Sequence, residues 1–148
     1  AYGGAMALGS ICYIAGTLLC RRWIARHGPA RSVRRGAWFT LAAGVLMAVP
    51  AALGVSAAWA VLLPYCIFAF GHGIHQPCGQ AGVVAPFPQA AGAASALAGL
   101  MLALVAFGMG RWLGSALGHS VLPLAYGLAG WALLICTVAW TLVQRHGR

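Results

Sequence analysis

The chain reads as an all-α integral membrane protein, a bundle of about five transmembrane helices. Its 148 residues are 62% hydrophobic and only 6% charged, whereas a soluble domain needs roughly 25% charged residues to wet its surface. Asp, Glu and Lys are absent and every charge is an arginine, so no soluble face can be assembled. From Gly36 to Gly110 there is no formally charged side chain, a run far longer than the roughly 20 apolar residues that cross a bilayer.

The first span covers residues 2–20 and stops at Arg21-Arg22. A basic loop follows, holding six of the nine arginines between Arg21 and Arg35, with Gly28-Pro29 as a turn at its centre. Nucleic-acid binders spread such charge over a soluble folded face. Here it is squeezed between two apolar segments, the pattern of a short loop held beside anionic lipid headgroups, and no nucleic-acid partner is expected.

Ala37 to Ile74 as one helix would be about 57 Å long at about 1.5 Å per residue, against a hydrocarbon core of about 30 Å. It must fold back once. Pro50 to Ser56, with Gly54-Val55-Ser56, is the point of least helix support, giving spans at 37–53 and 57–74. The segment Ala85-Pro86-Phe87-Pro88-Gln89 then breaks any helix, since two prolines in three residues favour extended backbone. A fourth span is expected over 90–113. A turn over Gly114 to Ser120 leads into a fifth span, 121–143, whose first turn tolerates Pro123, and a polar tail follows.

Charge checks the count. Five spans put Arg21, Arg22, Arg26, Arg31, Arg34, Arg35, Arg145 and Arg148 on one side and Arg111 alone on the other. That asymmetry is what the positive-inside rule expects of a cytoplasmic face. An odd count sends the N-terminus outward with nothing before it to carry it across, and the chain starts at Ala1. It therefore reads as the C-terminal portion of a longer multi-pass protein, the missing N-terminal spans being its first expected partner and the lipid bilayer its second.

Polar groups inside a bilayer are costly and mark functional sites. His72, His75, Gln76 and Gln80 cluster at the inner end of the third span, at spacings that share one helix face. They read either as a polar lining that meets substrate or passes protons, or as side chains reaching headgroup water. His72, His75 and Cys78 do not make a convincing metal site, because ligands at i, i+3 and i+6 wander around the helix and no carboxylate completes a shell. No metal and no cofactor are expected. The five cysteines show no metal or disulfide spacing and read as small buried apolar residues. Without an acidic residue, neither a Ser-His-Asp triad nor a carboxylate pair can be built, so the chain is not expected to be an enzyme. Gly92 and Gly99 in the fourth span, and Gly110 and Gly114 near its outer end, have the spacing that lets helices approach closely in lipid.

Two stretches resemble a known family. Gly71-His72-Gly73-Ile74-His75-Gln76-Pro77 followed by Ala85-Pro86-Phe87-Pro88-Gln89-Ala90-Ala91-Gly92-Ala93-Ala94-Ser95-Ala96-Leu97-Ala98-Gly99 resembles the tenth-to-eleventh span region of major facilitator transporters. Within that superfamily it is most similar to the bicyclomycin/chloramphenicol-resistance group of multidrug transporters. Gly16, Arg21-Arg22 and Arg26-His27-Gly28-Pro29-Ala30-Arg31 resemble the superfamily's basic loop after the eighth span, with its acidic residue missing. The resemblance implies a twelve-helix fold of which this chain supplies spans eight to twelve, and a proton-coupled antiporter exporting small hydrophobic drugs across the inner (plasma) membrane by alternating access. The basic loop and C-terminus would be cytoplasmic, and the partners small-molecule substrate and protons. It implies that the first, third and fourth spans border the cavity while the second and fifth pack outside. Tyr65, Phe68, His72, Gln76, Ser95 and Met101 are then the cavity candidates, each with ordinary helix packing as the competing reading. Arg22, Arg26 and Arg31 would hold a cytoplasmic gate. Rival readings are a small non-transport membrane scaffold and a same-superfamily transporter of another solute.

Overall fold

The computed structural model describes residues 2–55, 57–116 and 122–146. These form α1 (Tyr2–His27), α2 (Pro29–Ala52), α3 (Trp59–Val84), a 3-10 turn (Pro88–Ala90), α4 (Ala91–Ala116), α5 (Leu122–Trp140) and the short α6 (Leu142–His146), with no strand among the described residues. Helices over Gly3–His27, Pro29–Ala52, Pro88–Ala116 and Leu122–Arg145 are long and apolar enough to cross a membrane. α3 has the length, at 26 residues, but carries His72, His75, Gln76 and Gln80 in its second half. The chain is thus a multi-pass, all-α membrane protein. Ser56, most of the Gly114–Ser120 turn, the expected start of the fifth span at Val121, and the tail residues Gly147 and Arg148 lie outside the described residues.

Helices overrun the expected spans at two places. The stretch from Arg21 to Arg35 is not a loop: α1 continues to His27, α2 starts at Pro29, and only Gly28 leaves the helix. Arg, Ala, Trp and Ile sustain a helix well enough to continue it beyond the apolar segment. Gly28 takes φ 77°, where a Cβ would be strained, and Pro29 fits the first helical turn, where its missing N–H is not needed. The second overrun is at α3, which passes Ile74 and Pro77 and stops at Val84 before the Pro86-Phe87-Pro88 break. Pro77 deprives the Gly73 carbonyl of its helical donor. The Thr17 hydroxyl of α1 lies 3.2 Å from that freed oxygen and 3.0 Å from the Tyr13 carbonyl of its own helix, so its single proton is shared between the two acceptors.

The fold-back between α2 and α3 falls where the sequence places it. Val55 N–H bonds the Pro50 carbonyl at 2.9 Å and Gly54 N–H bonds the Ala51 carbonyl at 3.1 Å, with Gly54 at φ 74°. This Schellman closure satisfies the last carbonyls of α2, and only glycine adopts its left-handed residue at no cost.

The most extensive helix contacts are α2 with α5, α1 with α3 and α2 with α3, so the bundle is a row α1–α3–α2–α5. α4 leans lightly on α3, touches α5, and has no buried residue. Close approach rests on small residues. A Cβ on Gly16 would fall on the Phe70 carbonyl oxygen, and one on Gly73 on the Tyr13 carbonyl oxygen, so α1 and α3 meet backbone to backbone. Gly36 makes room for Ile74, and Gly44 for Ala132, whose methyl would stand 2.8 Å from a Cβ placed on Gly44. By contrast, nothing lies within 4 Å of a Cβ placed on Gly92, Gly99, Gly110 or Gly114. The four expected packing glycines of α4 meet nothing among the described residues; the glycines that do lie on α1, α2, α3 and α5, where Gly127 faces the Trp112 ring.

Cys20, Cys78 and Cys136 sit in the core with Val33, Ala37, Ile74 and Ala139. They act as small residues that also donate: Cys20 Sγ to the Ile74 carbonyl at 3.3 Å, and Cys136 Sγ to the Ala37 carbonyl at 3.1 Å. The start of α2 is tied to the end of α5 by Trp140 Nε1 on the Arg34 carbonyl at 3.2 Å, and to α6 by Gln144 Nε2 on the Ala30 carbonyl at 2.8 Å. These bonds place the C-terminal end of α5 beside the arginine junction, so Arg145 shares an end of the bundle with the six arginines of Arg21 to Arg35.

Two outcomes follow for stability. Gly16→Leu should lower the melting midpoint of the purified protein in detergent, overpacking of this kind costing about 3 kcal/mol; Gly99→Leu, in open space, should leave the midpoint unchanged. Thr17→Val should cost about 1 kcal/mol, the worth of a hydrogen bond whose loss leaves the Gly73 carbonyl without a donor; the same melting assay reads it, and in a Pro77→Ala background the cost should shrink.

Candidate functional site

The middle of α3 is where polar chemistry meets the helix row. Because α3 reaches Val84, His72 stands at the centre of the helix and not at its inner end, and the four polar residues expected on one face separate into two settings. His75 faces α2. Its Nε2 is 3.1 Å from Oγ1 of Thr40, a side chain only 1% exposed, and the ring lies against Gly36. It is a hydrogen-bonded packing residue between α2 and α3.

His72 faces the other way. It is exposed on the outer side of the α1–α3 pair, stacked on Phe68 with ring centroids 6.5 Å apart and planes at 10°. The Tyr13 ring of α1 lies 5.9 Å from it at 46°. Gln76, half-buried, is one turn further along the same strip of α3. Tyr65 begins that strip but is committed to α1: its ring covers Gly9 and its hydroxyl points to Met6 Sδ at 4.0 Å. Tyr65, Phe68, His72 and Gln76 therefore do share a face, as sequence spacing indicates. Tyr13 was missed by sequence reasoning. Its only signal is its place midway along α1, and pairing it with His72 requires knowing the register of α1 on α3.

Ser95 and Met101 are exposed on α4, and no bond or ring contact joins them to that strip. His72, His75 and Cys78 point to different neighbours, Tyr13, Thr40 and Cys20 respectively, and no three ligating side chains converge among the described residues. A cleft of about 400 Å³ between α4 and α5, lined by Met109, Trp112, Tyr126, Trp131 and Leu134, involves none of the sequence candidates.

Arg22, Arg26 and Arg31 are exposed at the α1–α2 junction. No acidic side chain exists in the chain to pair with them. Arg35 lies over the Trp23 ring at 5.6 Å, and Trp38 packs on Trp140 at 4.9 Å, so arginine and tryptophan share this end. That mixture is typical of a membrane–water interface.

Over 59 residues the chain is 44% identical to Multidrug resistance protein D of Escherichia coli (strain K12), a match covering 40% of this chain and 15% of that protein's length. No family model matches the chain, and no solved structure matches it.

The two histidines should respond unequally to substitution. His75→Gln should lower the melting midpoint, losing a buried bond worth about 1 kcal/mol together with ring packing against Gly36. His72→Gln should lower it less, since the side chain is exposed and its hydrogen-bond partner, Gln76, lies on the same helix. A thermal scan of both variants in detergent decides it.

Proposed function

We propose that the chain forms part of a major facilitator transporter that exports small hydrophobic compounds in exchange for protons. The observation that carries this reading is the partial identity with Multidrug resistance protein D, found in a chain whose helices are built to span a bilayer. The bundle supports it in its distribution of covered faces. α2 closes on both α5 and α3, while α1 and α3 leave His72 of the Tyr13–Phe68–His72–Gln76 strip exposed and α4, resting lightly on α3 and α5, buries no residue. Helices with open polar or aromatic faces suit a central pathway; helices packed mutually suit the periphery. Tyr65, Phe68, His72 and Gln76 would line the pathway from α3, and Ser95 and Met101 from α4. Phe68 and Met101 supply the adaptable apolar contact that a loosely specific site uses. The open glycines of α4 would meet helices beyond this chain's own row, and Arg22, Arg26 and Arg31 would close an inner gate by pairing with carboxylates there. The arginine end would lie in the cytoplasm and the protein in the inner membrane.

Cells expressing the full-length gene should show raised resistance to hydrophobic drugs and extrude a fluorescent dye until a protonophore is added. Unchanged susceptibility across a broad panel, with the protein present in the membrane by blot, would sink the multidrug reading and favour another solute or a scaffold.

A further inference from the structure

Four of the five cysteines meet in pairs, and both pairs cross the contact of α1 with α3. Cys20 Sγ of α1 lies 3.6 Å from Cys78 Sγ of α3. Cys12 of α1 shares a hydrogen bond with Cys66 of α3, about 12 Å away along α1 at about 1.5 Å per residue. The fifth, Cys136, is turned to the Ala37 carbonyl and belongs to the α2–α5 contact. Filling space calls for one small side chain at each crossing, and Ala37 and Ala139 do that elsewhere in the same core. It does not call for sulfur opposite sulfur twice on one seam.

We infer that the α1–α3 seam is a site of oxidative modification, at which Cys20 and Cys78 close into a disulfide that locks the two helices together. It stands whether or not the bundle transports. A disulfide holds its sulfurs about 2 Å apart, so each sulfur of the pair has to move by only about 0.8 Å. Small rotations about the Cα–Cβ bonds supply that, because Gly16 and Gly73 already bring the two backbones into contact. Cys20 gives up its bond to the Ile74 carbonyl, which keeps the helical donor four residues on. Access is one-sided. Cys20 is fully buried, whereas Cys78 is 8% exposed and precedes Gly79, beside which there is open space. Cys20 also precedes Arg21, so this pair lies at the arginine end, nearer to water than Cys12 and Cys66. Burial makes both thiols slow to react, so the pair is reduced at rest and closes under sustained oxidant. The oxidant is a two-electron acceptor that takes up two hydrogens, such as a diazene dicarboxamide. The Cys78 sulfur adds to one nitrogen, Cys20 displaces it from that adduct, and the N=N group leaves as a hydrazine carrying both thiol protons. The bond closes a loop between positions 58 apart, long enough to restrain the unfolded chain strongly.

The test counts thiols in full-length protein whose only remaining cysteines are Cys20 and Cys78. Isolated membranes are treated with diamide at about pH 8, where thiolate forms most readily without harsh alkali, then denatured and labelled with maleimide-polyethylene glycol. Both thiols should lose their label on a monomeric band, and dithiothreitol should restore both. Gly16→Leu, which forces α1 off α3, should cut the closed fraction several-fold at a fixed time. Protein keeping only Cys20 and Cys136 should stay fully labelled. Should the cysteine-depleted protein fail to reach the membrane, the wild type serves: diamide should raise its melting midpoint in detergent, and Cys78→Ala should abolish the rise. Full labelling of Cys20 and Cys78 after both diamide and copper-phenanthroline overturns the inference. So does a cross-linked dimer in place of the monomer, equal closure of Cys20 with Cys136, or a wild-type midpoint that oxidation leaves unchanged.

Discussion

Inside a bilayer there is no hydrophobic force to press helices together, because lipid tails are as apolar as leucine. What holds this row is the contact of α1 with α3, where Gly16 and Gly73 let two backbones touch and Thr17 answers the carbonyl that Pro77 leaves bare. The three features depend on one another. Without the glycines Thr17 could not reach Gly73, and without Thr17 the proline would leave a carbonyl in hydrocarbon without a donor. This contact also fixes the register that brings Tyr13 to His72, so the candidate site is a by-product of how the helices are able to pack.

The same logic runs through the contacts of α2 with α3, α5 and α6. Thr40, Cys136, Trp140 and Gln144 each give a hydrogen bond across a helix interface. Most are donors to carbonyls already engaged in their own helices, which adds adhesion without breaking the ladder. Such bonds are modest individually, about 0.6 kcal/mol on average inside a membrane. Their value here is directional: they set rotation and register where packing of Ala and Gly alone would leave several choices open.

How far this could be read from residues follows from which forces are local. The bundle, the α2–α3 fold-back and the break at Pro86-Phe87-Pro88 were legible because apolar length, Gly54 and paired prolines act within a few residues. The helical continuation through Arg21 to Arg35 was not, since a polar run beside apolar spans resembles a loop, yet arginine is a good helix former and only Gly28 must leave the helix. The passage of α3 through Pro77 was hidden because the compensating hydroxyl lies on another helix. Glycine spacing in α4 looked like a packing stripe, but spacing shows only that close approach is allowed; Gly92 and Gly99 meet nothing in this chain. In the site, the face shared by Phe68, His72 and Gln76 followed from helical period, while Tyr13 and the diversion of His75 to Thr40 depend on inter-helix register that no local pattern encodes.

The arginines determine how deep that site lies. None can find an acid in this chain, and an arginine cluster beside apolar spans is met at the level of water and headgroup phosphate. Arg35 on Trp23 and the Trp38–Trp140 pair mark the same level, since tryptophan settles at the interface. Tyr13 precedes Arg21 by about 12 Å of helix at about 1.5 Å per residue, close to half of a hydrocarbon core of about 30 Å. The Tyr13–His72 contact is therefore near the midplane, where an imidazole is least tolerable to lipid. The arginine belt that looks like simple membrane anchoring is what makes an exposed His72 chemically meaningful.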